Sequence, residues 1–137
     1  MDTVRVGVLG VGHLGKEHAR IYSQMKGVDL AGVFDTNADA ARTVAKKCKT
    51  SVADSPEALL DRVDAVSVVV PTVHHHEAAM PFLERGVSVL VEKPMTYRVQ
   101  EAEEMVATAK QTGARLQVGH IERFNPGFQA MTDRELN

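Results

Sequence analysis

Residues 4–15 read VRVGVLGVGHLG, and this stretch decides the fold. Val4–Gly10 is a short β-branched run, the pattern of a buried strand. It runs directly into Gly10, Gly12 and Gly15, spaced G-x-G-x-x-G. Each glycine has a physical reason to be there. Gly10 makes the tight turn out of the strand. Gly12 has no side chain, so a pyrophosphate can approach the backbone. Gly15 lets the following helix pack close to the strand. The start of that helix offers free N–H groups and a partial positive charge to an anion. With Gly10, Gly12 and Gly15, the backbone of His13 and Leu14 completes the expected phosphate cradle. An acid completes the pattern. Asp35 closes the next apolar run, DLAGVFD, about 20 residues beyond Gly15, where a carboxylate accepts hydrogen bonds from ribose hydroxyls and repels a 2′-phosphate. NAD is therefore the expected cofactor. Arg42, a helical turn or more further on, keeps NADP open.

The same alternation continues outward. GKEHARIYSQMKG has helix-like spacing of Ala19, Ile21, Tyr22 and Met25, and Gly27 stops it. NADAARTVAKKC reads as a helix capped by Asn37. TSVADSPEALLDRV holds a brief extended piece, then Ser55 and Pro56 opening a short helix. DAVSVVVP, Asp64–Pro71, is the strongest strand pattern. HHHEAAMPFLERG is a helix ending at Gly86, with a kink expected at Pro81. VSVLVEKP is a strand, VQEAEEMVATAKQTG a helix closed by Gly113, and ARLQVGHI a last strand. Apolar strands alternating with amphipathic helices mean an α/β domain: a doubly wound parallel sheet, the Rossmann fold. No repeat or low-complexity segment interrupts it.

Composition narrows the class. The chain has 137 residues, 44% of them apolar, which suits one domain with a real core. A net charge of −2 gives no basic footprint for nucleic acid. No apolar run reaches the roughly 18–20 residues of a membrane helix. The start, MDTVRVGVLG, does not read as a signal peptide. The single cysteine, Cys48, excludes an internal disulfide framework and suits a reducing compartment. Together these lead us to expect a cytoplasmic protein. The stretch RFNPGFQAMTDRELN carries Phe124, Phe128 and Met131 as if for packing, so the chain is expected to be part of a longer protein. The expected organisation is a dinucleotide-binding domain over 1–122, with 123–137 opening a second domain.

In an open parallel sheet, ligands sit at the carboxyl ends of the strands. Those ends carry Pro71 and Thr72, then Glu92, Lys93 and Pro94, then Gly119 and His120, and less distinctly Ser51. An acid and a base after the apolar run VSVLV are either solvated punctuation or the working end of a site. His74, His75 and His76 are consecutive. Successive helix positions point about 100° apart and H-E-x-x-H spacing is absent, so no metal site is expected. Of the three, His75 is expected beside the dinucleotide. His18 is expected on a helix surface, and His120 at the crevice.

GVLGVGHLGKEHA, VSVVVPTVHHHEAA, VSVLVEKPMT and VGHIERFNP, in that order, together resemble the glucose–fructose oxidoreductase / inositol dehydrogenase / rhizopine-catabolism (Gfo/Idh/MocA) family. The match spans the whole chain. Glu-Lys-Pro after an apolar strand is the most specific piece, and VGHIERFNP looks most like the family's nucleotide-sugar branch, typified by UDP-N-acetylglucosamine 3-dehydrogenase. The resemblance implies an NAD-dependent oxidoreductase that converts a secondary alcohol of a sugar, nucleotide sugar or cyclitol to a ketone. It makes Lys93 the catalytic-site lysine. It puts Glu92 beside the nicotinamide ribose or against the lysine, and implies a cis bond before Pro94. Pro71, Thr72 and His75 would line the dinucleotide, and His120 and Arg123 would border the substrate cleft. It also implies a second, larger α/β domain through which the full protein forms a homo-oligomer. Two positions depart from the family pattern. Arg98 stands where an N-capping Thr is common, and Thr72 where Asn is common. Two rivals use parts of the same signature. A nucleotide-sensing regulatory domain needs the glycine loop and Asp35 but not Glu92-Lys93-Pro94. A methyltransferase-like domain pairs a glycine loop with an acid, without this glycine spacing.

Overall fold

The β-branched runs do form strands, and in the computed structural model, which describes residues 2–133, all of them run parallel. The chain alternates β1 (Val4–Leu9), α1 (Gly15–Gln24), β2 (Val28–Phe34), α2 (Ala38–Cys48), β3 (Ala65–Val68), α3 (His75–Glu84), β4 (Ser88–Val91), α4 (Val99–Thr112) and β5 (Leu116–Val118), then a short α5 (Pro126–Thr132). The five strands lie in the order β2-β1-β3-β4-β5. Outside β2, Val52 makes a single parallel bridge to Val33. That bridge stands where the dinucleotide fold ordinarily carries its third strand, so the order is the usual 3-2-1-4-5-6 with one strand reduced to a bridge. The brief extended piece expected before Ser55 is this residue.

Both faces of the sheet are covered, as continuous apolar strands require. On one face α1 and α2 bury Val8, Ala19, Leu30, Val33, Ala41 and Val44. On the other, α3, α4 and the 3₁₀ turn Glu57–Leu59 bury Leu59, Val66, Val68, Phe82, Leu83, Val91 and Met105. Two strand glycines serve that second face. A Cβ at Gly7 in β1 would lie 3.2 Å from one methyl of Leu59, and a Cβ at Gly32 in β2 3.0 Å from the other. Leu59 thus rests directly on the backbone of both strands, a close approach only glycine allows.

The helix ends follow local chemistry. Asn37 accepts N–H bonds from Asp39 and Ala40, each at 3.1 Å, as expected of a cap. Gly113 ends α4 in the left-handed region at φ 78°. Arg98 gives α4 no side-chain cap, but Glu101 reaches back to the Arg98 N–H at 3.1 Å, so half a capping box compensates. α3 runs through Pro81 to Glu84. β3 ends at Val68, earlier than the expected Pro71, with a last bond to β1 from the Val69 N–H to Leu9 O at 2.8 Å. No helix among the described residues is long and apolar enough to cross a membrane.

Candidate dinucleotide site

The carboxyl ends of β1 and β3 flank the point where strand order reverses, which is where such sheets bind ligands. Gly10 leaves β1 at φ 86°, and its N–H bonds Phe34 O at 2.8 Å. A Cβ at Gly15 would sit 1.7 Å from Gly10 O, so α1 starts in contact with the turn. Gly12 is different: a Cβ there would meet nothing within 4 Å. Its bare backbone borders open space, as a pyrophosphate cradle needs. Among the described residues, the N–H groups of Gly12, His13, Leu14 and Gly15 have no protein acceptor, and they stand at the positive end of α1. The residues present therefore fit a dinucleotide phosphate.

Asp35 does two jobs at once. Its Oδ2 accepts the Val11 N–H at 2.8 Å and its Oδ1 the Asn37 N–H at 2.7 Å. The carboxylate is thereby locked between the glycine loop and the entry to α2. Each carboxylate oxygen still has acceptor capacity for a ribose hydroxyl. Arg42, which could have read a 2′-phosphate, pairs with Asp39 on its own helix. A cleft of about 750 Å³ gathers Gly10, Gly12, Asp35, Pro71 and His74.

The consecutive histidines diverge. His74 lines the cleft and bonds Glu77 at 2.8 Å. His76 bonds Glu104 of α4 at 2.7 Å. His75, expected beside the dinucleotide, is only 1% exposed. Its Nδ1 lies 3.1 Å from Met95 O and its Nε2 2.9 Å from Val70 O. It ties the loop after β3 to the loop after β4, and its neighbour His74 takes the place at the cleft wall. Thr72 sits half-buried in the 3₁₀ turn before α3.

The β4 end carries the acid and base. Lys93 is exposed and the Lys93–Pro94 peptide is cis, as the resemblance implied. Glu92 is buried, 8% exposed. Its Oε2 accepts the Lys93 N–H at 3.2 Å, and its Oε1 lies 2.9 Å from Nε2 of His18. His18 is therefore not on a helix surface. Its Nδ1 lies 3.2 Å from Ser67 Oγ, which in turn lies 2.7 Å from the Tyr22 hydroxyl. Gly119 at the end of β5 backs against the same carboxylate: a Cβ there would be 3.0 Å from Glu92 Oε1. His18, Ser67 and Tyr22 escaped the sequence reading of the site, and Gly119 entered it only as a strand end. The one available signal was GKEHA, a histidine one turn into the phosphate-loop helix. His120 and Arg123 are exposed beyond β5.

These features define a dinucleotide-binding Rossmann domain with an acid and a base at a strand end two places along the sheet. A family model described as "Oxidoreductase family, NAD-binding Rossmann fold" matches residues 4–120. The chain belongs to this Gfo/Idh/MocA oxidoreductase family, and supplies its NAD-binding Rossmann domain. It is 43% identical over 129 residues to UDP-N-acetylglucosamine 3-dehydrogenase of Acidithiobacillus ferrooxidans, covering 94% of this chain and 41% of that protein. A crystal structure of that dehydrogenase superposes with a TM-score of 0.90 at 41% identity, over 97% of this chain and 44% of that one. Inositol 2-dehydrogenase 1 of Mycolicibacterium vanbaalenii is 37% identical over 137 residues, 96% of this chain and 40% of that protein. A structure of GenD2 from gentamicin A biosynthesis, in complex with NAD, matches at 29% identity and TM-score 0.83, over 87% of this chain and 35% of that one. The chain thus spans about two fifths of the length of its relatives.

Proposed function

We propose that this chain is the cofactor domain of an NAD-dependent dehydrogenase acting on a secondary alcohol of a sugar, nucleotide sugar or cyclitol. The observation that carries the reading is the placement of Glu92 and Lys93 at the β4 end, two strands along from the glycine loop on the same sheet edge. In such a reaction a bound NAD would supply the acceptor for the carbinol hydride. Lys93 takes up or donates the hydroxyl proton, and a positioned proton-transfer group of this kind contributes typically 10²–10⁴-fold. Gly10, Gly12, His13, Leu14 and Gly15 hold the pyrophosphate, and Asp35 the adenosine ribose. Pro71 borders the dinucleotide, with Thr72 and His75 shaping the loop behind it. Glu92 faces the nicotinamide end, and His120 and Arg123 border the substrate.

The pairing of Arg42 with Asp39 supports NAD over NADP. The similarity to a UDP-N-acetylglucosamine dehydrogenase favours a nucleotide-sugar substrate. The reading places residues 1–122 in the cofactor domain and begins a substrate and oligomerisation domain at 123. Exposed Ile121, Phe124, Phe128 and Met131 are the apolar surface such a domain would cover, and residues 134–137 lie outside the described range. A cytoplasmic, homo-oligomeric full-length protein completes the picture.

Calorimetric titration with NAD and NADP tests the cofactor half. NAD is expected to bind more tightly, and Asp35→Ala to weaken it. Tighter binding of NADP would reverse the assignment of Asp35. In the full-length protein, Lys93→Ala is expected to cut turnover of UDP-N-acetylglucosamine or inositol by about 10²-fold or more. Nucleotide binding with Lys93→Ala leaving every activity intact would instead mark a nucleotide-sensing domain.

A further inference from the structure

We propose that His18 is a positioning residue for the nicotinamide end of the site, holding the Glu92 carboxylate from α1 with Ser67 and Tyr22 behind it. The inference rests on the reading above that Glu92 faces the nicotinamide.

The hydrogen-bond arithmetic closes. A His18 ring that donates from Nε2 to Glu92 Oε1 leaves Nδ1 as an acceptor. The Ser67 hydroxyl donates to that nitrogen, and its oxygen accepts from the Tyr22 O–H. Every polar atom of Tyr22, Ser67 and His18 in this chain has a partner of the right kind. Ser67 is fully buried in β3 and His18 Nε2 meets a side chain only 10% exposed. Burying such a row is costly unless each member is satisfied. A sheet face needs apolar side chains alone for stability, and the rest of this face supplies them. The polar row is confined to the line that ends at Glu92.

Position gives the row its use. His18 lies three residues after Gly15 on α1, about 4.5 Å along the axis. The same rigid helix therefore presents its N–H groups to the phosphates and, one turn on, fixes the acid at the β4 end. The two ends of a bound dinucleotide are referred to one frame. Gly119 closes the opposite side. A Cβ there would lie 3.0 Å from Oε1, 3.1 Å from Cδ and 3.2 Å from Oε2 of Glu92, so the carboxylate occupies the space a side chain would take. His18 holds Glu92 by a bond and Gly119 admits it by having no Cβ. Two acceptor positions of the carboxylate remain open after His18 and the Lys93 N–H are counted.

NADH and ADP separate the ends, because ADP keeps the adenosine and both phosphates but lacks the nicotinamide and its ribose. Titrated calorimetrically, the unaltered protein is expected to bind NADH more tightly than ADP. His18→Leu should lose about tenfold in NADH affinity, the size of one hydrogen bond to a charged group, with ADP unchanged. His18→Gln keeps an N–H within reach of Oε1 and should recover most of the loss. Gly119→Ala leaves every hydrogen-bonding group in place, displaces Glu92 from the other side, and should reproduce the His18→Leu pattern. If His18→Leu does not fold by thermal melting, Gly119→Ala decides. Equal loss for both ligands, no loss for either, or a glutamine no better than leucine would assign His18 a purely structural role. Equal binding of NADH and ADP by the unaltered protein would also overturn the proposal. Binding of neither would instead remove the dinucleotide reading itself, and the proposal with it.

Discussion

A methyl group on Gly15 would lie 1.7 Å from the carbonyl oxygen of Gly10, and one on Gly12 would touch nothing. The two glycines are therefore required for different reasons, and substitution should separate them. Gly15→Ala must push α1 off the turn, so both thermal stability and NAD binding are expected to fall. The Cβ of Gly12→Val meets no protein atom within 4 Å, so the change should leave the melting temperature within a few degrees, while filling the phosphate space and removing NAD affinity. Circular dichroism melts and calorimetry on the same samples check the pair; a Gly12→Val protein that still binds NAD would move the phosphates elsewhere. The glycine spacing was legible because turn, close approach and helix start are properties of adjacent residues. Asp35 was legible for the same reason, since its place follows from the end of one strand. Its bonds to Val11 and Asn37 were not, because they need β1 and β2 side by side.

At the scale of elements, the strands and helices followed their apolar periodicity with small shifts at the ends. The exception is instructive. VRVGVL and DLAGVF each carry a glycine that weakens a strand by propensity, and nothing nearby in sequence explains it. Leu59 does, from a 3₁₀ turn more than twenty residues further on, by lying across both glycines. Leu59→Ala is expected to cost about 2–5 kcal/mol. Strand backbone forms the floor of that pocket and cannot collapse to fill it. Chemical denaturation measures the loss, and a cost under about 1 kcal/mol would mean the 3₁₀ turn repacks.

For the whole molecule, the start of the sheet carries an ion pair that ties β1 to the entry of β3. Asp64 accepts the Arg5 N–H at 2.8 Å and its guanidinium at 2.7 and 3.2 Å. The side-chain and backbone bonds from Arg5 hold the Asp64 carboxyl below the usual carboxylate range. A depressed folded pKa stabilises above the unfolded value, near 4, and that stability is lost as pH falls through the lower folded one. Asp64→Asn should therefore lower stability at neutral pH, by about 1 kcal/mol or less because the pair is half exposed. The difference should vanish in acid below both values. Melting temperatures of the two proteins across pH test this, and a gap that widens in acid would contradict it.

The sequence by itself determined the α/β alternation and the places of the glycine turn, Asp35 and the Glu92-Lys93 pair at strand ends. Each is written in neighbouring residues, where propensity, period and strand ends act locally. Only the tertiary structure decided where the histidines lie. His75 looked like a ligand-facing residue and is sealed between two carbonyls. His18 looked like surface and meets Ser67 and Glu92, 49 and 74 residues away. Such pairings arise only when α1 is laid across β3 and β4, and no local pattern in the chain encodes that contact.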